Sequence, residues 1–465
     1  MRSTAGQWTV IRGGDDAASR RGLHRELVNG LLDTPFARLY HPRAPKLSRL
    51  ARDNPTYCYP RLEHPMNTPH ELSRTFQELD LYDLNALLTD EERMIRDHVR
   101  SFVNSEVLPI INEHHEAGTF PTEMLKTLGE MGLYGPSLKG YGCAGVSNVA
   151  YGLAMQELER GDSGFRSAAS VQGSLVMWPI YTYGSEEQKN KYLPKLASGE
   201  LIGCFGLTEP DHGSDPGGMI TRATRDGDGW VLHGAKMWIT NSPVSDIAVV
   251  WAKVKEDGED TIRGFVVESD LDGFSAPVMK GKWSLRASLT GELVFDEVRL
   301  PGDALLQKSP TTLKGPLSCL TQARFGIAWG VLGAAQDCFD SARRYSLERQ
   351  QFGGPIARFQ LTQKKLAEMA VEITKAQMLA WRLGRLKDEG KMTPTQVSIA
   401  KLNNVGIALD IARVSREIHG AMGITEEYPM MRHMMNLESV KTYEGTNDIH
   451  TLAIGREVTG VSAFF

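Results

Sequence analysis

Glu444 stands directly before Gly445 in the run Thr442-Tyr443-Glu444-Gly445-Thr446-Asn447-Asp448. A glycine there lets backbone come close to a bound molecule while the neighbouring carboxylate projects toward it, as a general base must. Taken alone, the same glutamate also fits a helix cap or a surface charge. A second group lies in the segment 157–170, which gathers Glu159, Asp162, Arg166 and Ser167. An arginine can fix a carboxylate through two parallel charge-assisted hydrogen bonds, or can be engaged in an internal salt bridge to an acid such as Asp162. A third is the loop Cys204-Phe205-Gly206-Leu207-Thr208-Glu209-Pro210-Asp211-His212-Gly213-Ser214-Asp215. Its glycines, hydroxyls and low bulk suit contacts to the phosphates or ring edge of a cofactor, and equally an ordinary surface turn. Arg349, in Arg349-Gln350-Gln351-Phe352-Gly353 with Gln360 shortly after, is either a planar fork for phosphate or a solvated helix charge.

These groups are spread along 465 residues, so only a folded scaffold can assemble them. From 89 to 200 apolar residues recur at helical spacing, as in Met94, Ile95, Val99, Phe102 and Val103, and Thr89 with Glu92 forms a capping box. Between 201 and 298 the pattern changes to short runs such as Trp230-Val231-Leu232, Ile247-Ala248-Val249-Val250-Trp251 and Gly264-Phe265-Val266-Val267, split by turns such as Asp226-Gly227-Asp228-Gly229. After Pro316 the helical period returns, broken at 353–355, 390–394 and 420–429. The order helices, strands, helices, without βαβ alternation or a GxGxxG turn, excludes a doubly wound nucleotide fold. The expected divisions are an extension over 1–65, an N-terminal helical domain over 66–200, a middle β domain over 201–310 and a C-terminal helical domain over 311–465. The extension is rich in Arg and Pro but carries Asp15, Asp16 and Glu26, so an over-extended start or loose arm is expected over a targeting segment.

A net charge of -5 lacks the basic surface that nucleic acid would require. The most apolar stretch, 174–183, falls short of the roughly 20 residues of a membrane span. Five scattered cysteines without a CxxC imply neither a disulfide framework nor a metal knuckle, and point to a reducing compartment. The bacterial cytoplasm is expected, with the mitochondrial matrix as the alternative.

Residues 205–214, followed by Trp238-Ile239-Thr240, resemble the paired flavin-binding signatures of the acyl-CoA dehydrogenase family. The resemblance implies an α+β, mostly α fold: a helical domain, a middle antiparallel β domain and a C-terminal four-helix bundle, binding FAD. It implies cofactor contacts from Phe205, Leu207, Thr208, Gly213, Ser214, Trp238, Ile239 and Thr240, the Trp packing on the flavin and Thr240 bonding near N5. The Arg349, Phe352 and Gln360 pattern implies reach across a subunit interface to a neighbour's FAD, hence a homotetramer. Glu417-Ile418-His419-Gly420-Ala421-Met422-Gly423 is similar to the turn at the adenine half, although the family commonly has Gly and Asn where this chain has Ala421 and Met422. The TYEGTNDI core matches the family's pattern for the catalytic base, which assigns that role to Glu444, with Thr446, Asn447 and Asp448 at the cofactor. Members that carry the base on an earlier helix place it just before the Arg of the CoA-contacting segment, where this chain has Ala323 before Arg324.

From about residue 88 to the C-terminus the chain resembles the glutaryl-CoA branch of that family. The resemblance implies that Arg166 and Ser167 hold a distal carboxylate, that Glu159 joins the network, and that Ser214, Arg324, Tyr443 and Gly445 line the substrate. The implied reaction is α-proton removal by Glu444, β-hydride transfer to FAD and loss of the carboxylate as CO2, giving crotonyl-CoA from glutaryl-CoA. Electrons would then pass to electron-transferring flavoprotein. The alternatives are a dehydrogenase for another short acyl-CoA without decarboxylation, a silent FAD or acyl-CoA binding protein, and an oxidase that uses O2.

Overall fold

Thr89 opens the first long helix: its hydroxyl accepts from Glu92 N at 3.2 Å and the Glu92 carboxylate accepts from Thr89 N at 2.9 Å, satisfying two donors that a helix start leaves unpaired. This helix, α1 (Asp90–Phe102), turns Val99 and Phe102 inward. Its Arg100 grips the buried Glu157 of α2 (Asn148–Gly161) through Nη2 at 2.8 Å and Nε at 3.0 Å. The computed structural model describes residues 74–464, so the expectations for residues 1–65 and for Cys58 lie outside them.

Helix α2 is buried from Val149 to Gly161, because other helices cover it on several sides. Asp162 interrupts it in extended conformation and caps α3 (Ser163–Ser170), which continues through a wide π-type turn (Val171–Met177). Helix α4 (Glu186–Ser198), capped by Ser185 and Gln188, closes the first helical layer.

The strands follow: β1 (Gly203–Gly206), β2 (Arg222–Asp226), β3 (Gly229–Thr240), β4 (Ile247–Glu256), β5 (Glu259–Glu268), β6 (Phe274–Ser275) and β7 (Thr290–Leu300). They form one seven-stranded sheet of order β1-β4-β2-β3-β7-β6, with β5 on the other edge of β4. Most pairings are antiparallel. β1 and β2 instead run parallel to β4 along one edge, at Gly203↔Ile247 and Arg222↔Lys253. Alternation buries Trp230, Leu232, Phe265, Val267, Leu293 and Phe295 in one cluster.

The C-terminal helices are α5 (Lys314–Glu348), α6 (Gln360–Asp388), α7 (Pro394–Ile418), α8 (Met430–Thr442) and α9 (Asn447–Thr459). α5, α6 and α7 pack on one another, α8 lies against α7 and α5 as the fourth member, and α9 rests on α7. α5 also packs along α2, so the largest buried cluster runs through both helical regions and onto the sheet. Among the described residues, no helix is long and apolar enough to cross a membrane.

Candidate active site

α8 ends at Thr442 and α9 begins after Thr446, whose hydroxyl accepts from Ile449 N at 3.2 Å. Tyr443, Glu444 and Gly445 form the connection. Glu444 has φ +50° and Gly445 φ +94°. A Cβ on Gly445 would meet His450 Nε2 at 3.0 Å and Arg324 Nη2 at 3.1 Å, so glycine is required by both conformation and space. The left-handed glutamate persists because its surroundings hold it. Lys401 Nζ on α7 donates to the carbonyls of Tyr443 and Gly445, the latter at 2.6 Å, and Arg324 Nε on α5 donates to the Glu444 carbonyl at 2.6 Å. Three successive carbonyls are therefore held by buried or half-buried cations. Glu444 Oε2 is enclosed and has no hydrogen-bond partner. A carboxylate without internal donors is free to take a proton from a guest.

Across from it, Arg166 of α3 is 1% exposed. Its Nε donates to Glu159 Oε2 at 2.7 Å, and its Nη2 donates to the Tyr443 hydroxyl. Ser163 Oγ donates to the other Glu159 oxygen at 2.8 Å. The Ser167 hydroxyl sits near the Tyr443 phenol but meets no full hydrogen bond. Gly330 on α5 makes room for this group, since a Cβ there would lie 2.1 Å from Glu159 Oε2. The internal pairing of Arg166 with Asp162 does not form. Asp162 instead accepts from Gly164 N at 2.7 Å, and from Arg432 at 3.0 Å and Asn436 at 2.8 Å on α8. That link clamps α3 to α8 and so sets Arg166 against Tyr443.

Burial pushes the Glu444 carboxyl above its ordinary value, while Lys401, Arg166 and Arg324 pull it back. Burial brings Lys401 down to about 7, opposed by Glu444. Burial raises the Tyr443 phenol to about 12, so it stays protonated at neutral pH. His450 is pushed down to about 3 by burial, then by Lys401 and Arg324, and is a neutral wall behind Gly445.

Asn241, just after β3, ties the sheet to the helix that carries Arg166 by donating to Ala168 O of α3 at 3.4 Å. At Trp238, β3 carries an extra residue between Lys236↔Leu293 and Ile239↔Gly291. This bulge turns Trp238 outward at φ +63° and 58% exposed. Phe205, Leu207 and Ile239 point into the core, leaving only their backbone for a ligand. The loop after β1 is pinned by Glu209, which accepts from Lys236 Nζ at 2.8 Å, Ile220 N at 2.6 Å and Thr221 N at 3.0 Å. Met237 N donates to Thr208 O at 2.9 Å. The hydroxyls of Thr208, Ser214 and Thr240 take no hydrogen bond among the described residues, and Asn447 Oδ1 is buried without a partner. The exposed Trp238 indole, with the unused hydroxyl of Thr240 two residues on and that of Thr208 on the strand-loop contact at Met237, fits a flat, polar-edged group such as a flavin.

Arg349, Phe352, Gln360, Gly420 and Ala421 are exposed, Phe352 at 86%; Glu417 is paired with Lys365 at 2.9 Å and Asp448 is exposed. None of them hydrogen-bonds the Glu444 cluster among the described residues. Lys401, Lys236 and Asn436 are the residues that sequence reasoning missed. Lys401 had a signal: it sits at helical spacing among Val397, Ser398, Asn404, Val405 and Ala408, all on the buried face of α7.

Three family descriptions match the chain: acyl-CoA dehydrogenase N-terminal domain over residues 89–200, middle domain over 204–298 and C-terminal domain over 314–459. The chain is 36% identical over 369 residues to the short-chain specific acyl-CoA dehydrogenase, mitochondrial, of Bos taurus, spanning 79% of this chain and 90% of that one. It is similar to a crystal structure of glutaryl-CoA dehydrogenase from Mycobacterium smegmatis, with TM-score 0.82 and 58% identity over 84% of this chain and 100% of the other. A second Mycobacterium smegmatis glutaryl-CoA dehydrogenase structure, in complex with FADH2, has TM-score 0.81 and 53% identity over 83% and 99% of the two chains.

Proposed function

The chain belongs to the acyl-CoA dehydrogenase family, and from that premise we propose that it oxidises and decarboxylates glutaryl-CoA to crotonyl-CoA and CO2. It is an acyl-CoA dehydrogenase with FAD as cofactor. The reading rests above all on one observation: a buried Arg166 whose guanidinium reaches Tyr443, the residue immediately before the unpartnered carboxylate of Glu444.

FAD, when bound, accepts the β-hydride of the acyl chain. Trp238, Thr240 and the 205–214 loop are the residues that would hold its ring, with Thr446 and Asn447 nearby. Glu444 removes the α-proton. The α-proton of a thioester is far less acidic than a carboxylic acid, so a base already raised by burial is better matched to it. The Glu444 backbone N–H, which takes no hydrogen bond among the described residues, is free to receive the thioester oxygen as charge develops. Arg324 donates to the Glu444 carbonyl and Lys401 to the Tyr443 carbonyl, on either side of that N–H. Arg166, braced by Glu159, holds the distal carboxylate of the substrate with Ser167 and the Tyr443 phenol beside it. Once the new double bond is in place, the electrons left by CO2 pass to the thioester, and Glu444 returns the proton to the dienolate. The electrons of oxidation go on to electron-transferring flavoprotein. The reading includes a homotetramer in the bacterial cytoplasm.

The second reading is a short-chain acyl-CoA dehydrogenase without decarboxylation. It is favoured by likeness to the Bos taurus enzyme and by the internal partners of Arg166. The two separate on glutaryl-CoA with an artificial electron acceptor. Equimolar crotonyl-CoA and CO2 are expected, whereas accumulation of glutaconyl-CoA would limit the enzyme to oxidation. Glu444→Gln is expected to stay yellow and lose turnover by roughly 10³-fold or more; near-normal turnover would refute the base.

A further inference from the structure

We propose that Lys401 is a positioning residue for the reaction: it clamps the peptide carbonyls on either side of Glu444, fixes the left-handed backbone of the base and sets a positive charge behind its carboxylate. The inference rests on Glu444 being the base and adds a group from a different helix. Lys401 is fully buried in α7, an unfavourable place for an ammonium unless its donors are matched. Two of its three donors meet Tyr443 O and Gly445 O. Glu444 at φ +50° lies between those carbonyls. No apolar side chain could supply these bonds, and the strained glutamate would lose two of the three cationic contacts that hold it. The charged and titratable groups facing the carboxylate are Lys401 from α7, Arg324 from α5 and Arg166 from α3, with the Tyr443 phenol alongside, the Tyr151 phenol from α2 and neutral His450 behind from α9.

The test isolates the base from the redox step. Acetyl-CoA carries α-hydrogens but no β-carbon, so it can exchange an α-hydrogen with solvent deuterium yet cannot lose a hydride. In the FAD-loaded enzyme in D2O, Lys401→Met is expected to slow α-exchange by roughly 10²-fold, through loss of orientation, while acetyl-CoA binding stays within about threefold. Removing the charge leaves the Glu444 carboxyl less opposed to protonation, so the acid limb of exchange moves to higher pH. Lys401→Arg keeps the charge and is expected to stay within about tenfold of the parent with its acid limb unmoved; Lys401→Gln, which keeps a donor but loses the charge, is expected to move the limb as Lys401→Met does and decides the question if Lys401→Met does not fold. Exchange at the parental rate with an unmoved acid limb in Lys401→Met, or in Lys401→Gln where Lys401→Met does not fold, overturns the role. Glu444→Gln in the same assay tells the two failures apart: exchange persisting there overturns the base itself, whereas its loss beside an unaffected Lys401→Met overturns only Lys401.

Discussion

Arg166 divides its guanidinium between Glu159 and Tyr443, so its fork is already aligned before any substrate enters. A guest carboxylate would meet an oriented, desolvated cation rather than a flexible one, whereas a neutral tail would leave it short of partners. Arg166→Met is therefore expected to lower kcat/KM for glutaryl-CoA by roughly 10²-fold and to spare butyryl-CoA. Equal losses on both substrates would make Arg166 a structural residue. At this scale the sequence was legible wherever a residue belongs to a local run, as Glu444 does with Tyr443 and Gly445. Lys401 lies 43 positions before Glu444 and reaches the loop only through the fold, so no local pattern joins the two. Asn436 is similar, because its bonds to Asp162 and Leu285 N link three separate elements.

Among the elements, α2, α3 and α5 determine whether Arg166 can stand where it does. Gly330 is the point of closest approach between α5 and the Glu159–Arg166 pair. Gly330→Ala would drive a methyl into Glu159 Oε2, which Arg166 and Ser163 hold in place. A loss of roughly 1–3 kcal/mol in denaturant unfolding is expected, with a reduced preference for glutaryl-CoA over butyryl-CoA. Parental stability and selectivity together would show that the pair moves aside freely. The alternation of helices and strands was readable because periods of 3.6 and 2 differ over a few residues, and the Thr89–Glu92 cap because its chemistry is local. The position of Trp238 was not. A strict period of two says nothing of a bulge, and the extra residue in β3 is what turns the indole outward. The two parallel pairings of β4 were equally hidden, since they depend on which strands share an edge.

For the molecule as a whole, Arg349, Phe352, Gln360 and the Gly420 turn stand exposed and apart from the hydrogen bonds of the Glu444 cluster, consistent with the proposal that they serve a neighbouring subunit. The whole chain carries a formal charge of -5. The enclosed region has the opposite sign: Arg166, Arg324 and Lys401 face Glu159 and Glu444, three basic groups against two acidic ones. An unbalanced charge is costly away from water, and Lys401, brought down to about 7, is the group that can relieve it by releasing its proton. A ligand ending in a carboxylate supplies the missing negative charge and should restore that proton. Glutaryl-CoA is thus expected to draw hydrogen ions from the medium as it binds at about pH 8, more than butyryl-CoA does, measurable as a buffer-dependent heat of association under anaerobic conditions with Glu444→Gln. Equal uptake for both ligands would contradict it, and recognition of the acid tail would then fall to the fixed charge of Arg166 with Lys401 a bystander.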